Sequence, residues 1–351
     1  MSRATPRRRA ARPPSRWARL RAAVQRLGAS RVPVVAWAVL VLGGLAMLVA
    51  AMVPVGPDWL DGAGAVTVIS AYVWALAART GGRPVLFGTL ALALGVLVLV
   101  LDQDSLRSGA AVMTCVVTAV LAVMATVPAV RFVHAVRECL VAVLLAAVGG
   151  LATVGFEPAI TLARFEYATL GLALAGAFVM VYRLGAGFHG LGRRGLLTVL
   201  VGGALLAVIL AYAEVLRRYG TPGLVGSLLD GVVWSREHLG ASPRPIMALV
   251  GIPALAWGCH MRARRRQGWW VCAFGVTAST AVANALVNPS IGLDEATLSV
   301  VYGAVVGLLV GFVVIRLDLM LSGGGGRGRR SRRAEEAAAA RPEPSRTSAL
   351  L

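Results

Sequence analysis

Ten long apolar runs, each closed by a turn that carries charge, constrain this chain more than any motif in it. An α-helix rises about 1.5 Å per residue, so some 20 apolar residues match the roughly 30 Å hydrocarbon thickness of a bilayer. Apolar residues make up 58% of the chain and charged residues only 15%, and the charges gather in clusters instead of alternating along helix faces. A water-soluble core would need that alternation. The pattern predicts an all-α, polytopic integral membrane helical bundle of about ten transmembrane helices, with spans near 32–53, 62–78, 84–101, 108–130, 139–156, 165–182, 195–216, 245–261, 268–287 and 296–317.

The flanks differ from the body. Residues 1–31 hold ten arginines among Ala, Pro and Ser, a composition that cannot form a core and predicts a disordered cytoplasmic tail. The following run, 32–53, is longer than the apolar core of a signal peptide, so it reads as an uncleaved anchor. Residues 32–321 form the transmembrane domain, and 322–351, with a glycine run and Arg327 to Arg333, predict a second disordered cytoplasmic tail. Between spans 7 and 8, Leu224, Val225, Leu228, Leu229 and Val232 repeat at helical spacing opposite Ser227 and Asp230. That stretch, about 223–239, predicts an interfacial amphipathic helix.

Charge sets the orientation. The net charge of +19 comes from arginine alone, and the absence of lysine reads as coding bias of a GC-rich genome. A balance this basic in a soluble protein would point to nucleic acid, but here the arginines flank spans. With ten spans, 29 of the 35 arginines fall on the side of the two tails and six on the other. The positive-inside rule then predicts both ends inside, in the cytoplasmic membrane. The strongest inner turn holds Arg262, Arg264, Arg265 and Arg266, followed by Trp269 and Trp270. It reads as a topological anchor, with the tryptophans in an interfacial belt and anionic lipid head groups as partners at the inner face. The lipid bilayer is the main partner, other membrane proteins are possible partners, and no nucleic acid is expected.

Polar groups at depth are the natural functional candidates in a bilayer protein. Glu214 lies near the outer end of span 7 with Tyr212 beside it; it either lines an outward cavity or pairs with Arg217 and Arg218. Glu166, at the outer start of span 6, either joins a substrate path or favours a helix N-terminus. Asn284 follows Thr277, Ser279 and Thr280 in span 9, as a polar lining or as hydrogen-bonding glue. Gly303, Gly307 and Gly311 form a stripe in span 10 that predicts close packing of another helix, internal in preference to a dimer seam. Cys115, Cys139, Cys259 and Cys272 lie in apolar runs as small hydrophobes, and His134, His189, His238 and His260 lack ligand spacing, so no metal or other cofactor is expected.

No Walker A loop, GxSxG elbow or HExxH motif is present, and no extramembrane stretch is long enough for a catalytic domain. The expectation is therefore a non-ATP-driven transporter or permease-like protein and not an enzyme. The alternative is a cell-envelope assembly protein, either a scaffold partner or a lipid-linked transferase. As a transferase it would draw on Glu157, Glu166, Glu214, Asp230, Glu237, His238, Asp294 or Glu295 at the outer face.

Overall fold

Proline opens two of the helices, at Pro33 and Pro84, where its fixed φ suits the first turn and its missing N–H has no intrahelical partner to lose. The computed structural model describes residues 31–53, 56–186, 196–197, 199–211, 214, 230, 233–264, 267–322 and 343–350. In chain order its helices are α1 (Val32–Met52), α2 (Leu60–Arg79), α3 (Pro84–Leu101), α4 (Asp104–Met124), α5 (Phe132–Val154) and α6 (Leu162–Val181). They continue with α7 (Val199–Ala211), α8 (Ile252–Arg262), α9 (Gly268–Ala273), α10 (Val276–Val287) and α11 (Leu293–Ser322). Among the described residues there is no strand. Gly81, at φ +72°, allows the four-residue reversal between α2 and α3.

Among the described residues eight helices are long and apolar enough to cross a membrane, with α9 and α10 together forming one of them, Gly268–Val287. The stretch expected as span 8, 245–261, is instead a π-helical turn, Met247–Gly251, running into the 11-residue α8. Span 7 is described only in part, as α7. Helix α5 begins at Phe132, not Cys139, which draws Glu138 into a helix, and α11 continues past Leu317 to Ser322. Of the amphipathic stretch 223–239, residues 233–239 are helical and the residues before Asp230 lie outside the described part.

Burial sorts the helices into a centre and a rim. The Gly268–Val287 span is 89% buried and contacts α4, α5, α6, α11 and the π-turn, whereas α3 is 11% and α1 17% buried. The rim helices present Val35, Leu42, Val85 and Val100 outward. In water such apolar faces would be an aggregation liability; in hydrocarbon they are the matched surface. The molecule is a helical membrane bundle.

In lipid, close packing holds helices together more than the hydrophobic effect does. The glycine stripe of α11 serves that purpose. A Cβ at Gly307 would lie 2.6 Å from Ile252 Cβ, at Gly311 3.1 Å from Ala256 Cβ, and at Gly303 3.2 Å from Met247 Sδ. All three contacts lie on α8 and its π-turn. Gly251, at the end of that turn, abuts the Ala278 backbone of α10, where any side chain would collide.

These two neighbours are both irregular. Between α9 and α10, Phe274, Gly275, Thr277 and Ala278 donate to the carbonyls of Val271, Cys272, Phe274 and Gly275, each three residues back. This is a tight 3₁₀ passage inside a membrane-length helix, a feature that marks hinges and strain. Opposite it, the π-turn before α8 is wound more loosely than an α-helix.

Candidate functional site

The polar centre of the molecule gathers where α2, α4 and α8 end and α5 begins. The turn after α4, Ala125–Val130, is tied to the end of α8: Ala129 N–H donates to Cys259 O at 2.9 Å, and His260 Nδ1 lies 3.1 Å from Ala129 O. Arg262, the last residue of α8, has a wholly buried side chain. Its Nη1 donates to Thr126 Oγ1 at 2.7 Å and its Nη2 to Thr126 O at 3.1 Å. The guanidinium lies 3.4 Å over the Trp269 ring, so a cation–π contact fixes its plane.

Arg79, the last residue of α2, reaches the same turn from the other side, donating from Nε to Met124 O at 2.9 Å. Glu138, in the second turn of α5, is fully buried. It accepts from Val127 N–H at 3.0 Å and pairs with the exposed Arg137 at 2.9 Å. A charge buried this deeply is tolerated only with such partners.

The remaining partners come from the far end of the chain. Glu343 Oε2 accepts from Arg262 Nη2 at 2.6 Å, and Arg346 Nη2 donates to Glu138 Oε2 at 2.6 Å. Arg79 Nη1 donates to the carbonyls of Ser345 and Ser348, both at 2.6 Å, and Leu350 N–H returns to Arg79 O at 2.8 Å. The Leu350 side chain packs against the core. The sequence predicts a disordered tail over 322–351; within it Glu343–Leu350 lie seated on this end of the bundle, where Glu343 and Arg346 match two buried charges and the Ser345 and Ser348 carbonyls meet a third, Arg79. The preceding residues, 323–342, lie outside the described part, as does the N-terminal tail up to residue 30.

The residues singled out by sequence are distributed as follows. Of the anchor cluster, Arg262 is buried in the site, Arg264 is half-buried, and Arg265 and Arg266 lie outside the described residues. Trp269 and Trp270, expected in an interfacial belt, pack inward, Trp270 stacking on Phe178. Asn284 is buried in α10, and its Oδ1 finds no hydrogen-bond donor among the described residues. Thr118 of α4, against Gly149 of α5, likewise has a buried hydroxyl with no hydrogen-bond partner among the described residues. Thr277, Ser279 and Thr280 are buried on the same helix as Asn284. Glu214 is half-buried, and Tyr212 lies outside the described residues.

At the opposite end of the bundle Glu166 and Glu295 lie within electrostatic reach of Arg244. Burial pushes the Arg244 guanidinium below its ordinary range, the two carboxylates oppose that fall, and Arg236 adds to it. Glu295 also pairs with Arg236 at 2.9 Å, and Glu157 with Arg107 at 2.6 Å. Among the described residues no three His, Cys, Asp or Glu side chains gather as metal ligands.

A groove of about 360 Å³ runs between α1, α2 and α3, lined by Trp37, Leu40, Trp74 and Leu92. Its hydroxyls, on Thr67, Ser70 and Thr89, are already bonded to Ala63 O, Val66 O and Val85 O, so it offers mainly apolar surface. Glu138, Arg79 and Thr126 escaped the sequence reading. One signal was available: Glu138 is the only acidic residue between Asp104 and Glu157, set among inner-side arginines. No family model, no curated protein and no solved structure matches the chain.

Proposed function

We propose that the chain is a non-ATP-driven transport protein of the cytoplasmic membrane, with ten spans and both tails on the cytoplasmic side, the end of the bundle that holds Arg79 and Arg262. One observation carries this reading: the two interrupted helices, the π-turn with α8 and the 3₁₀-linked α9–α10, lie against each other at the bundle's most buried position. Broken helices at membrane depth are tolerated where they serve a site or a moving part, and they are a recurrent feature of transporter binding sites. The buried Asn284, whose Oδ1 has no donor among the described residues, puts a polar group on one of them, following Thr277 and Thr280, whose hydroxyls bond to Phe274 O and Thr277 O of their own helix. The carboxylates at the other end support transport over a transferase. Glu157 and Glu295 are each paired with an arginine, whereas acid/base chemistry needs carboxylates free to exchange protons.

The test is accessibility. In a cysteine-free background in nanodiscs, Thr277→Cys, Thr280→Cys and Asn284→Cys should react with a small water-soluble methanethiosulfonate. The rates should exceed by at least tenfold that of Ala283→Cys, which faces Gly150 in a packed contact. Inertness at all three positions in a folded protein would defeat the transport reading and favour the envelope-assembly alternative.

A further inference from the structure

Arg79 and Arg262 bracket one turn, bonding to Met124 O and Thr126 O two residues apart, and lie within electrostatic reach of each other. Among the described residues one carboxylate is paired with them. Glu343 bonds Arg262, while Arg79 is met by the neutral carbonyls of Ser345 and Ser348. Two buried N–H donors stay uncommitted among the described residues: Arg79 Nη2 and Arg262 Nε. Unmade hydrogen bonds of buried charged donors are costly, so the pair is built for more acceptor oxygens than the segment gives it.

We propose that the Arg79–Arg262 pair is a binding site for a small dianion, a dicarboxylate or a phosphate, which the chain's own Glu343 occupies as a built-in competitor. A dianion matches both guanidiniums, where Glu343 matches one. The planar forks of two arginines accept carboxylate and phosphate oxygens in pairs, and the Trp269 ring holds one fork in plane. Thr126 and Met124 fix the other edges of the guanidiniums, so the site needs no rearrangement of the helices to exchange a carboxylate of the segment for one of a ligand. The chain's hold on the segment is otherwise made from outside the arginine pair, through Arg346 on Glu138 and Leu350 on the core.

The test uses the full chain in phosphatidylcholine nanodiscs, with a nitroxide at Ala349→Cys, an exposed position; the four native cysteines are buried. Titration with succinate or inorganic phosphate should mobilise the nitroxide saturably. In calorimetric titration of the same nanodiscs, Glu343→Gln should lower the anion's dissociation constant at least tenfold, and Arg79→Gln should raise it at least tenfold. Glu343→Gln alters only the terminal segment, so it keeps the test independent of whether Arg79→Gln folds. Mobilisation by phosphatidic acid in the nanodisc, without added anion, would assign the dianion to a lipid head group; mobilisation by the soluble anions alone assigns it to a free one. Absence of succinate, phosphate and phosphatidic acid binding to Glu343→Gln would overturn the proposal. So would a nitroxide that is equally mobile with and without the anions. Because occupancy is read at equilibrium with no gradient, the outcome is separate from whether the chain transports anything.

Discussion

Arg346→Gln should loosen the C-terminal segment without disturbing the bundle. Ordering eight residues, Glu343 to Leu350, costs about 8–16 kcal/mol of conformational entropy at roughly 1–2 kcal/mol each. Against this stand four charge-assisted hydrogen bonds, from Arg262 to Glu343, from Arg346 to Glu138 and from Arg79 to two carbonyls, at roughly 1.5–3 kcal/mol each. The Leu350 amide and side chain add about 2–4 kcal/mol. The two sides nearly cancel, so the seated and released states are close in free energy. Arg346 is about a third exposed, which places its bond at the weak end, near 1.5 kcal/mol. Glu138 keeps Val127 N–H and Arg137, so the bundle loses little. The ratio of seated to released segment should therefore fall about tenfold, since 1.4 kcal/mol is a factor of ten. Pulsed dipolar spectroscopy between nitroxides at Ala349 and His134, both exposed, reads that ratio as two distance populations. A ratio unchanged within twofold would refute the near-cancellation.

Three further outcomes test other parts of the structure. Gly307→Leu places a side chain against Ile252 and should cost about 1–3 kcal/mol, seen as a fall in Tm, while Gly171→Leu, with open space at its Cβ, should be neutral. Glu295→Gln breaks a half-exposed pair with Arg236 and should change stability by less than about 1 kcal/mol in denaturant titration; a larger loss would show that Arg244 depends on it. A cysteine at His238 should react with an impermeant maleimide on intact cells; reaction only after permeabilisation would reverse the orientation.

Most helices were legible because a bilayer demands them: among the described residues eight of the ten apolar runs appear as membrane-length helices, and Gly303, Gly307 and Gly311 lie against α8 and its π-turn. The site was not legible in the same way. Arg262 stood among four arginines and looked like a boundary marker, yet only its own position at the end of α8 turns its side chain inward over Trp269. Glu138 was assigned to a turn because the apolar run begins after it, and burial came from a helix that starts six residues earlier. The segment 343–350 is too polar to suggest a fold by itself. Its partners lie 81 and 208 positions away, distances at which periodicity carries no information. The break at Gly275 sits inside an unbroken apolar run, so hydropathy passed over it.

That break sets a rotational gear in the middle of the bundle. A 3₁₀ turn advances 120° per residue and an α-turn 100°, so relaxing about four residues around Gly275 to α geometry would swing α10 by roughly 80° relative to α9. It would also draw the two together by about 2 Å, from the difference in rise per residue. Thr277, Thr280 and Asn284 would then leave the sector they now occupy and face a different set of helices. The indole of Trp269, on the α9 side of the break, would keep its place under Arg262. One short stretch of backbone can thus reorient the polar face of the central helix while the charged end of the molecule stays still.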